Sequence, residues 1–562
     1  MNRALLILLF WLPTLPALAA QWSQGHWQAS VDGDIIDIQI VTTSSSAIQV
    51  KLDNLSQDDD DLTAQTFRFT DDSQTIARTD GSPYMQIRRT TFGEFIFQRI
   101  DDTQKDNNAL AFLKPVKSGI TTLEDYPTEQ AIADLPEESV WLDYANQDLW
   151  KFWGTDTALE FSSSRCNDGE LPDITDLCRE LRAPWIAEGL PNNYTRMLSR
   201  QVYAYGVLFN VTGNKQAYAA MQKGLTELLS RFEDTGSVAT ILREGKAVYR
   251  PAQRTSQDLA YAQVGLAMAF YLTGDAALLD KIELLKNHIV TQYVNKEKTM
   301  LAWTLEDQMP GDAKNQELVA QLDQLNAYML LVFPHLPDAM QKEWAADIRF
   351  IVEAMLDKFH IEDRNRFAGQ LVNGEFNDPG ERHNDFGHSV KTYWMIYIAG
   401  QLLDDERYQR IGTDGIEKII QQAIRFREHP QGYSQWGNQI QSNSSSWWEF
   451  AELTQATATL ALDNPDYSRY LPDVYQMWLN NFVDKKYGGV WMSANGGAKQ
   501  HLWKNGYHET EFGLVALIAS QRLKQQPIRL YFARTEGHFQ PYLFNLQPSR
   551  IHIQNDLTVV TF

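Results

Sequence analysis

Two histidines stand in segments whose residue types suit proton transfer to and from carbon. His388 lies in NDFGHSVKTYWMI and His508 in HLWKNGYHETEFGLVAL. An imidazole exchanges its proton near neutral pH, so histidine is the residue most often used as a general acid or base. On a helix, Lys391 and Met395 fall on the same face as His388, with Trp394 at the edge of that face. The alternative is a buried histidine with a satisfied hydrogen bond and a lysine that reaches solvent.

Polar residues also gather at the starts of other helical segments. Charged residues are seldom buried unless they are paired, yet these lie in otherwise apolar helices. Each has a structural explanation by itself: Arg200 as an inter-helix salt bridge, Trp447 as a core residue, His508 as a cap. Together they indicate one pocket, because convergent polar groups mark sites. They are Arg200, Gln201, Tyr203 and Tyr205; Arg254, Gln257, Asp258 and Tyr261; Trp447, Trp448, Glu449 and Glu452; Lys504, Tyr507, His508, Glu509 and Glu511.

The elements that must position these residues are helices, which recur from about residue 140 to 525. Two stretches share one pattern, an apolar helix, a Thr-Gly turn and an amphipathic helix, with the turn glycines at Gly213 and Gly274. A repeat of helical hairpins of this length predicts either an open solenoid or a closed ring. In a closed ring the helix starts converge, which would bring the polar residues together.

Strands are predicted at both ends of the chain, where residues alternate or are β-branched between Asp, Gly and Ser clusters. The expected fold is therefore α+β and multidomain. It comprises an N-terminal β-sandwich-like domain over 20–130, helical hairpins over 140–525, and C-terminal strands over 526–562 that pack on the N-terminal domain.

The opening MNRALLILLFWLPTLPALAA predicts a signal peptide over residues 1–19. Its apolar run is too short to span a bilayer and ends in a small-residue cleavage site. We therefore expect a periplasmic or secreted protein. In an oxidising compartment Cys166 and Cys178 should form a disulfide that closes a short loop at the rim of the helical ring, outside the chemistry.

The charge balance restricts the partners of this protein. Its 72 acidic and 50 basic residues give a formal net charge of −22. Nucleic acids and anionic membranes need basic patches, so neither is expected as a partner after signal cleavage. The 16 Trp, 23 Tyr and 26 Phe suit sugar recognition, in which flat rings stack on pyranose faces, and suit a large core equally well. A small-molecule or oligosaccharide substrate fits this composition.

Five segments resemble the N-acylglucosamine 2-epimerase superfamily, which includes cellobiose 2-epimerases and aldose–ketose isomerases that act on mannose. They occur in the family's order over roughly residues 145 to 525. The resemblance implies an (α/α)6 barrel that converts a reducing sugar at C2 and requires neither metal nor nucleotide cofactor. The segments are SRQVYAYGVLFNVTG, DLAYAQVGLAMAFYLTGD, FGHSVKTYWMI, WWEFAELTQATATL and YGGVWMSANGGAKQHLWKNGYHETE.

The resemblance also implies residue roles. His388 and His508 would be the two acid/base groups, placed on opposite faces of a planar enediolate about 6–9 Å apart. Arg200 would stabilise the enediolate oxygen. Lys391 would orient the site or lower the pKa of His388. The substrate-binding residues would be Tyr203, Asp258, Tyr261, Lys391, Trp394, Trp448, Glu452, Lys504 and Tyr507, with Trp394 or Trp448 as a wall.

One departure from the family lies in QLDQLNAYMLLV. Many members carry histidines on this helix, whereas this chain has Asp323, Leu325 and Asn326. The departure bears on which reaction is performed and on whether the protein turns substrate over. It leaves the two-histidine arrangement intact.

Two other classes of function remain open from the sequence. A glycoside hydrolase on the same barrel would need two carboxylates, for which Glu449, Glu452, Glu509, Glu511 and Asp385 are available. A polysaccharide lyase would use a pair such as Tyr507 and His508. A glycan-binding protein without catalysis would keep only the pocket.

Overall fold

The computed structural model describes the N-terminal region through the backbone of its strands between residues 25 and 115. It describes the chain from residue 127 onward except 155–164, 174, 309–314, 363–364, 373, 376–382, 384–385, 425–445, 495 and 555–556, and the side chains of 386 and 421–424. The predicted signal peptide and Asp385 lie outside the described residues. The chain divides into two compact units, the N-terminal strands and the helices with the C-terminal strands. Among the helices described, none has both the length and the apolar character needed to cross a membrane.

The N-terminal strands form a closed antiparallel barrel, in which each strand pairs with the next and β1 pairs with β8. The β-rich character was expected, but the strands form one closed sheet instead of two sandwiched sheets. Closure pairs the first strand with the last and so leaves no sheet edge unpaired. The strands are β1 (Gly25–Val31), β2 (Asp34–Ser44), β3 (Ala47–Asn54), β4 (Gln65–Phe69), β5 (Thr75–Ala77), β6 (Pro83–Arg89), β7 (Phe95–Arg99) and β8 (Leu110–Pro115).

The second unit is an (α/α)6 barrel, as the sequence resemblance implied. Its helices, some of them continued by a turn of another helical type, alternate between an outer and an inner layer. They are α1 (Glu138–Asp143, Tyr144–Leu149, Trp150–Trp153), α2 (Thr195–Thr212), α3 (Lys215–Leu229), α4 (Ser256–Thr273), α5 (Ala276–Gln292), α6 (Leu318–Gln324, Leu325–Met329, Leu330–Val332), α7 (Asp338–Lys358), α8 (Phe386–Leu403), α9 (Glu406–Ile424), α10 (Trp447–Asp463), α11 (Leu471–Met477, Trp478–Phe482) and α12 (Tyr507–Leu523).

The even-numbered helices form the inner ring. Each packs on the next, and α12 packs back on α2, so the ring is closed and is not an open solenoid. Burial follows from these positions. Every residue of α4 from Leu259 to Leu272 is buried, whereas α3 buries one stripe that includes Ala217, Met221 and Leu228. A helix that is apolar on all sides fits only between other helices, and an amphipathic helix fits the outside of the ring.

The Thr-Gly turns act as the sequence predicted. Gly213 ends α2 and Gly274 ends α4, both in the left-handed conformation with φ of 68° and 67°, which favours glycine. Asn214 and Asp275 then cap the outer helices by accepting backbone N–H groups. Each of these two turns therefore reverses the chain, so that α2, α4 and α6 begin at the same end of the barrel.

The C-terminal strands Arg529–Phe532, Arg550–Gln554 and Leu557–Thr561 form an antiparallel sheet within the helical unit. The Asn210 amide donates to the Tyr531 carbonyl (2.9 Å), and the backbone N–H of Ala533 donates to the Leu272 carbonyl (3.0 Å). The sheet therefore packs on α2 and α4, and the expected packing of these strands on the N-terminal domain stays a prediction. The packing on α2 and α4 is possible because Gly213 and Gly274 leave room there for Tyr531 and Arg534.

Candidate active site

A cavity of about 620 Å³ lies at the end of the barrel where the inner helices begin. All six inner helices contribute to its wall, which is why residues so far apart in the chain meet. Of the residues that the sequence singled out for the site, those lining the cavity are Arg200, Asp258, Tyr261, His388, Lys391, Trp448 and His508; Arg254, Gln257 and Trp447 line it as well. His388 and His508 both line this cavity, and their predicted separation and roles stay predictions.

His388 lies in the first turn of α8 and is partly buried. Its ring centroid is 4.9 Å from that of Trp448 and 5.0 Å from that of His383. Gly387 explains the close approach of Trp448, because a Cβ atom at this position would lie 2.4 Å from the indole ring. The glycine therefore allows a flat aromatic wall to stand directly beside the histidine.

His508, in the first turn of α12, is 7% exposed. Its Nδ1 atom lies 3.2 Å from Oε1 of Glu452, and its ring is 6.2 Å from that of Trp448. Burial lowers the pKa of His508 to about 3; Glu452 opposes this shift and Lys391 adds to it. The imidazole is therefore neutral at ordinary pH, which is the form that accepts a proton.

Lys391 and Glu452 form a buried ion pair of 2.6 Å beside His508. Burial would raise the pKa of Glu452, but Lys391 and His508 together hold it down at about 2. Lys391 is only 3% exposed, so the alternative in which this lysine reaches solvent is wrong. Glu452 contacts both Lys391 and His508. Lys391 is therefore linked to His508 through Glu452, and it lies one helical turn after His388 on α8.

Arg200 is the cavity cation without a carboxylate at ion-pair distance among the described residues. By contrast, Arg196 lies 3.1 Å from Asp258, Arg254 lies 2.8 Å from Glu233, and Lys391 is paired as above. The Arg200 guanidinium stacks 3.9 Å from the Tyr261 ring centroid, and one NH group donates to the Trp503 carbonyl at 3.4 Å. Its Nε has no hydrogen-bond partner within the described structure. This charge is therefore available to an oxygen in the cavity.

The inner helix α6 contributes a carboxylate to the wall. Asp323 accepts hydrogen bonds from the Gln257 amide (2.7 Å) and the Tyr261 hydroxyl (2.9 Å). Asn326 donates to the Tyr507 hydroxyl at 3.2 Å. Instead of histidines, α6 thus supplies an acceptor for the hydroxyl groups of a ligand and an amide that holds Tyr507.

Five of the predicted site residues lie behind the wall. Glu452 and Tyr507 contact lining residues, and Tyr203 hydrogen-bonds Tyr542 (2.9 Å). Trp394 is fully buried and does not line the cavity. Lys504 donates to the carbonyls of Val490 and Lys499 (2.8 Å each) and pairs with Glu509. The assignments of Tyr203, Trp394 and Lys504 to direct substrate contact are corrected accordingly.

Sequence reasoning missed several residues of the lining. Arg196 lies one turn before Arg200 on the same face of α2, and this i, i+4 spacing was the signal that could have found it. Trp503 stands five residues before His508 in a segment already singled out. His383 lies in a loop with φ of 58°, with its Nδ1 3.2 Å from Oε2 of Glu317; nothing in the sequence pattern indicated it.

Among the described residues, none of the carboxylates considered for hydrolysis lines the cavity. Glu449 caps α10 through Ser446, Glu509 is buried against Lys504, and Asp385 lies outside the described residues. Glu511 is buried, and its Oε1 accepts a 2.5 Å hydrogen bond from the Tyr542 hydroxyl. Burial and the charge of Glu452 raise the pKa of Glu511 to about 7.

Ligand atoms of Glu452, His508 and Glu511 lie within 4.8 Å of one another, a grouping that suits a metal ion. Lys391, however, already places an ammonium group 2.6 Å from Glu452. A divalent cation there would face this fixed positive charge at close range. We therefore describe Glu452 and Glu511 as a pair of carboxyl groups whose negative charge is neutralised by Lys391.

Several solved structures share this fold. The cellobiose 2-epimerase from Bacillus thermoamylovorans B4167 matches with a TM-score of 0.53 at 12% identity, over 68% of this chain and 98% of that chain. A sugar epimerase from a ruminal bacterium has a TM-score of 0.52 at 16% identity, over 68% and 98%. A D-mannose isomerase has a TM-score of 0.52 at 11% identity, over 68% and 97%. No protein-family model and no curated protein matches the sequence. The comparison establishes the shared fold.

Proposed function

We propose that this protein is an exported carbohydrate epimerase or aldose–ketose isomerase that acts at C2 of a reducing sugar. The observation that carries the proposal is that His388, His508 and Arg200 line one cavity. A fold shared with sugar epimerases and a D-mannose isomerase supports the same reaction class.

The reaction begins with an open-chain aldose whose C2–H bond points at one histidine. A neutral imidazole removes that proton, and the electron pair moves into the C1–C2 bond to give an enediolate. Arg200 faces the developing oxyanion, where a preorganised charge lowers the barrier most. The histidine on the other face, in its protonated form, then gives its proton to C2, which yields the epimer. Alternatively, the hydroxyl proton on O2 passes to O1 and the first histidine returns the abstracted proton to C1, which yields the ketose. The low pKa of His508 keeps its imidazole neutral at ordinary pH, which is the form that can accept the proton.

The wall residues suit a sugar in this position. Trp448 contacts both histidine rings and offers a flat face to a pyranose or to the opened chain. Asp258 and Asp323 present carboxylate oxygens that accept hydrogen bonds from sugar hydroxyls. The cavity thus has an aromatic wall, hydrogen-bond acceptors and two imidazoles.

Export is proposed from the signal-peptide pattern at the start of the sequence. The disulfide between Cys166 and Cys178, which is present in the structure as predicted, supports it because such bonds persist in oxidising compartments. Mass spectrometry of protein recovered from the periplasm or medium tests both points: the mature chain should begin after residue 19 and contain no free thiol.

The deciding experiment follows hydrogen exchange at C2. The purified protein is incubated in D2O with a panel of reducing aldoses, and loss of the H2 signal is followed by NMR. We expect exchange in the wild type, and a fall of about 10²–10⁴-fold in H388N and in H508N, because each removes one acid/base group. The exposed His552 provides a matched control, and H552N should keep wild-type exchange.

Other outcomes identify the other functions. Shortening of an oligosaccharide would indicate a hydrolase or, with an unsaturated product, a lyase. Binding without exchange or cleavage would indicate a glycan-binding protein. Full exchange in both histidine variants would reject the two-histidine mechanism.

A further inference from the structure

A third histidine lines the cavity in addition to His388 and His508. His383 lies in the loop before α8, and its side chain is 27% exposed. Its ring centroid is 5.0 Å from that of His388. The proton transfers at C2 need only His388 and His508, so they give His383 no task. Its own contacts indicate one.

A buried carboxylate holds the His383 ring. Nδ1 of His383 lies 3.2 Å from Oε2 of Glu317, which is fully buried, and Oε1 of Glu317 accepts a hydrogen bond from the Gln370 amide at 2.5 Å. An imidazole that donates its Nδ1–H to a carboxylate carries its lone pair on Nε2. The carboxylate also stabilises the imidazolium that forms when Nε2 takes up a proton. His383 and Glu317 thus have the arrangement of a general base and its orienting carboxylate.

Secondary structure and core packing fix the surroundings of this pair. Glu317 is paired with Gln370 in a two-stranded antiparallel sheet directly before α6. On another side, the ring centroid of Trp303 is 6.3 Å from that of His383, and Trp303 belongs to a buried cluster with Val319. A catalytic side chain needs such support, because its geometry must be set before the substrate binds.

The backbone of His383 shows that the side chain is held in a specific position. Its φ of 58° lies in the left-handed region, which is disfavoured for a residue with a Cβ atom. Such conformations persist where the surrounding contacts hold them, and they cluster at functional sites. At His383 the contact with Glu317 is one that holds the ring against the cavity wall.

Chemistry at C2 also needs a step that His388 and His508 do not perform. A reducing sugar is mostly a cyclic hemiacetal without a free carbonyl, so enolisation must wait until the ring opens. In that step a base takes the proton from O1, the C1–O5 bond breaks with its electron pair moving to O5, and O1 becomes the carbonyl oxygen. The protonated base then gives the same proton to O5. Because O1 and O5 are bonded to one carbon, a single imidazole nitrogen serves both.

We infer that His383, oriented by Glu317, is the general acid and base at O1 and O5 of a reducing sugar. Ring closure on the other face of the aldehyde gives the other anomer, so the protein has a second activity, the interconversion of anomers. The inference rests on the proposed function for the class of ligand. It does not depend on the reaction at C2, since no C–H bond breaks.

Polarimetry measures this activity directly. A pure anomer of an aldose that the protein binds is dissolved in weakly buffered solution, and the approach to anomeric equilibrium is followed with and without protein. The wild type should accelerate it, and H383N should lower the protein-dependent rate about 10²-fold. Asparagine tolerates the left-handed backbone, so H383N keeps the loop conformation. H552N, at an exposed position outside the cavity lining, is the matched control and should match the wild type. Equal rates in H383N and the wild type, or no acceleration by the wild type, overturn the inference.

An aldose that cannot cyclise separates ring opening from the reaction at C2. D-Glyceraldehyde has too few carbons to form a ring, and its C2–H exchange in D2O is followed by NMR. H383N should slow exchange much more with a pyranose than with glyceraldehyde, whereas H508N should slow both. Equal losses of H383N with the two substrates would contradict a role at O1 and O5.

The part played by Glu317 has a spectroscopic readout. In ¹⁵N spectra of histidine-labelled protein, assigned with H383N, neutral His383 should carry its proton on Nδ1. E317Q should lower both the share of this tautomer and, about tenfold, the rate of anomer interconversion. An unchanged tautomer and rate in E317Q would contradict orientation by Glu317.

This inference and the proposed function fail separately. C2 exchange without any acceleration of anomer interconversion overturns the role of His383 and leaves the proposed reaction. Anomer interconversion that depends on His383, without C2 exchange of any aldose, supports the inference and rejects the proposed reaction. Absence of both activities overturns both.

Discussion

At the scale of single residues, His508 lies beside a cluster of Lys391, Glu452 and Glu511 whose charges largely cancel. Lys391 neutralises Glu452 at 2.6 Å, and Glu511 lies close behind with its proton retained up to about pH 7. Ionisation of Glu511 would add a second negative charge beside a carboxylate and an imidazole. The protonated form of Glu511 thus keeps the cluster near neutrality.

Replacement of Glu511 by Gln should change how stability depends on pH. Burial and the charge of Glu452 raise the pKa of Glu511 from its usual 4.5 to about 7, so the folded state binds this proton more tightly than the unfolded state. The stabilisation is complete below pH 4.5 and is lost as pH rises to 7. Relative to the wild type, E511Q should therefore gain on the order of 2–3 kcal/mol in the free energy of unfolding across this window.

Urea unfolding of both proteins at a series of pH values measures this difference. Below pH 4.5 the difference should be constant, which serves as the internal control. His508, whose pKa is lowered, acts in the opposite direction: its contribution grows as pH rises from about 3 to 6.5 in both proteins, so it largely cancels in the comparison. A difference that does not vary between pH 4.5 and 7 would contradict the assigned state of Glu511.

The sequence could predict the two histidines because helix starts converge in any closed ring of hairpins. It could not separate Trp448 from Trp394, since an inner helix is buried on all sides and its apolar pattern does not show which face meets the cavity. Lys504 was misplaced for a related reason: it precedes α12 in a turn whose own carbonyls bind its ammonium group. Such contacts depend on loop geometry, which residue type does not reveal.

At the scale of elements, the site depends on how closely α8 approaches α10. Gly387 contacts both the Trp448 ring and the Glu449 side chain, so the two helix starts meet without an intervening side chain. The approach fixes the distance between His388 and the aromatic wall. The hairpin order of these helices was predictable from the Thr-Gly turns, whereas this spacing was not, because it depends on one glycine facing one tryptophan.

Replacement of Gly387 by Ala should displace the Trp448 ring. The added Cβ would overlap the ring at 2.4 Å, and such overpacking costs roughly 1–3 kcal/mol. G387A should accordingly unfold at lower urea concentration and bind sugar more weakly. In the double variant G387A/W448A the part of the penalty that comes from the ring should disappear, while the contact of the added Cβ with the Glu449 side chain at 2.7 Å remains.

A double-mutant cycle of urea midpoints measures this coupling. Additive effects of G387A and W448A would show that the alanine acts through something other than the tryptophan ring.

At the scale of the whole molecule, the inner ring is filled from its far end by the segment that follows α12. Tyr542 is buried; its backbone N–H donates to the Tyr271 hydroxyl (3.0 Å), and its own hydroxyl donates to Glu511. Tyr203 in turn donates to the Tyr542 hydroxyl. One residue thus connects the C-terminal segment to α2, α4 and α12, and through Glu511 to the surroundings of His508.

Tyr542 should therefore contribute to stability in two separable ways. Y542F removes only the hydroxyl, which leaves Tyr203 and Glu511 without this partner and should lower the free energy of unfolding by about 1–2 kcal/mol. Y542A also removes the ring and should cost about 3–5 kcal/mol. Equal unfolding midpoints for Y542F and the wild type would show that the hydrogen bonds are replaced by others.

The position of Tyr542 also sets an order in time. A chain that is synthesised or threaded across a membrane with its N-terminus first presents α2 to α10 before Tyr542 has emerged. Until then Glu511 lacks its contact with Tyr542, and the apolar surface of the inner helices that Tyr542 covers remains exposed. The cavity and the charge cluster around His508 should thus be complete only after the segment that follows α12 has been synthesised and has docked.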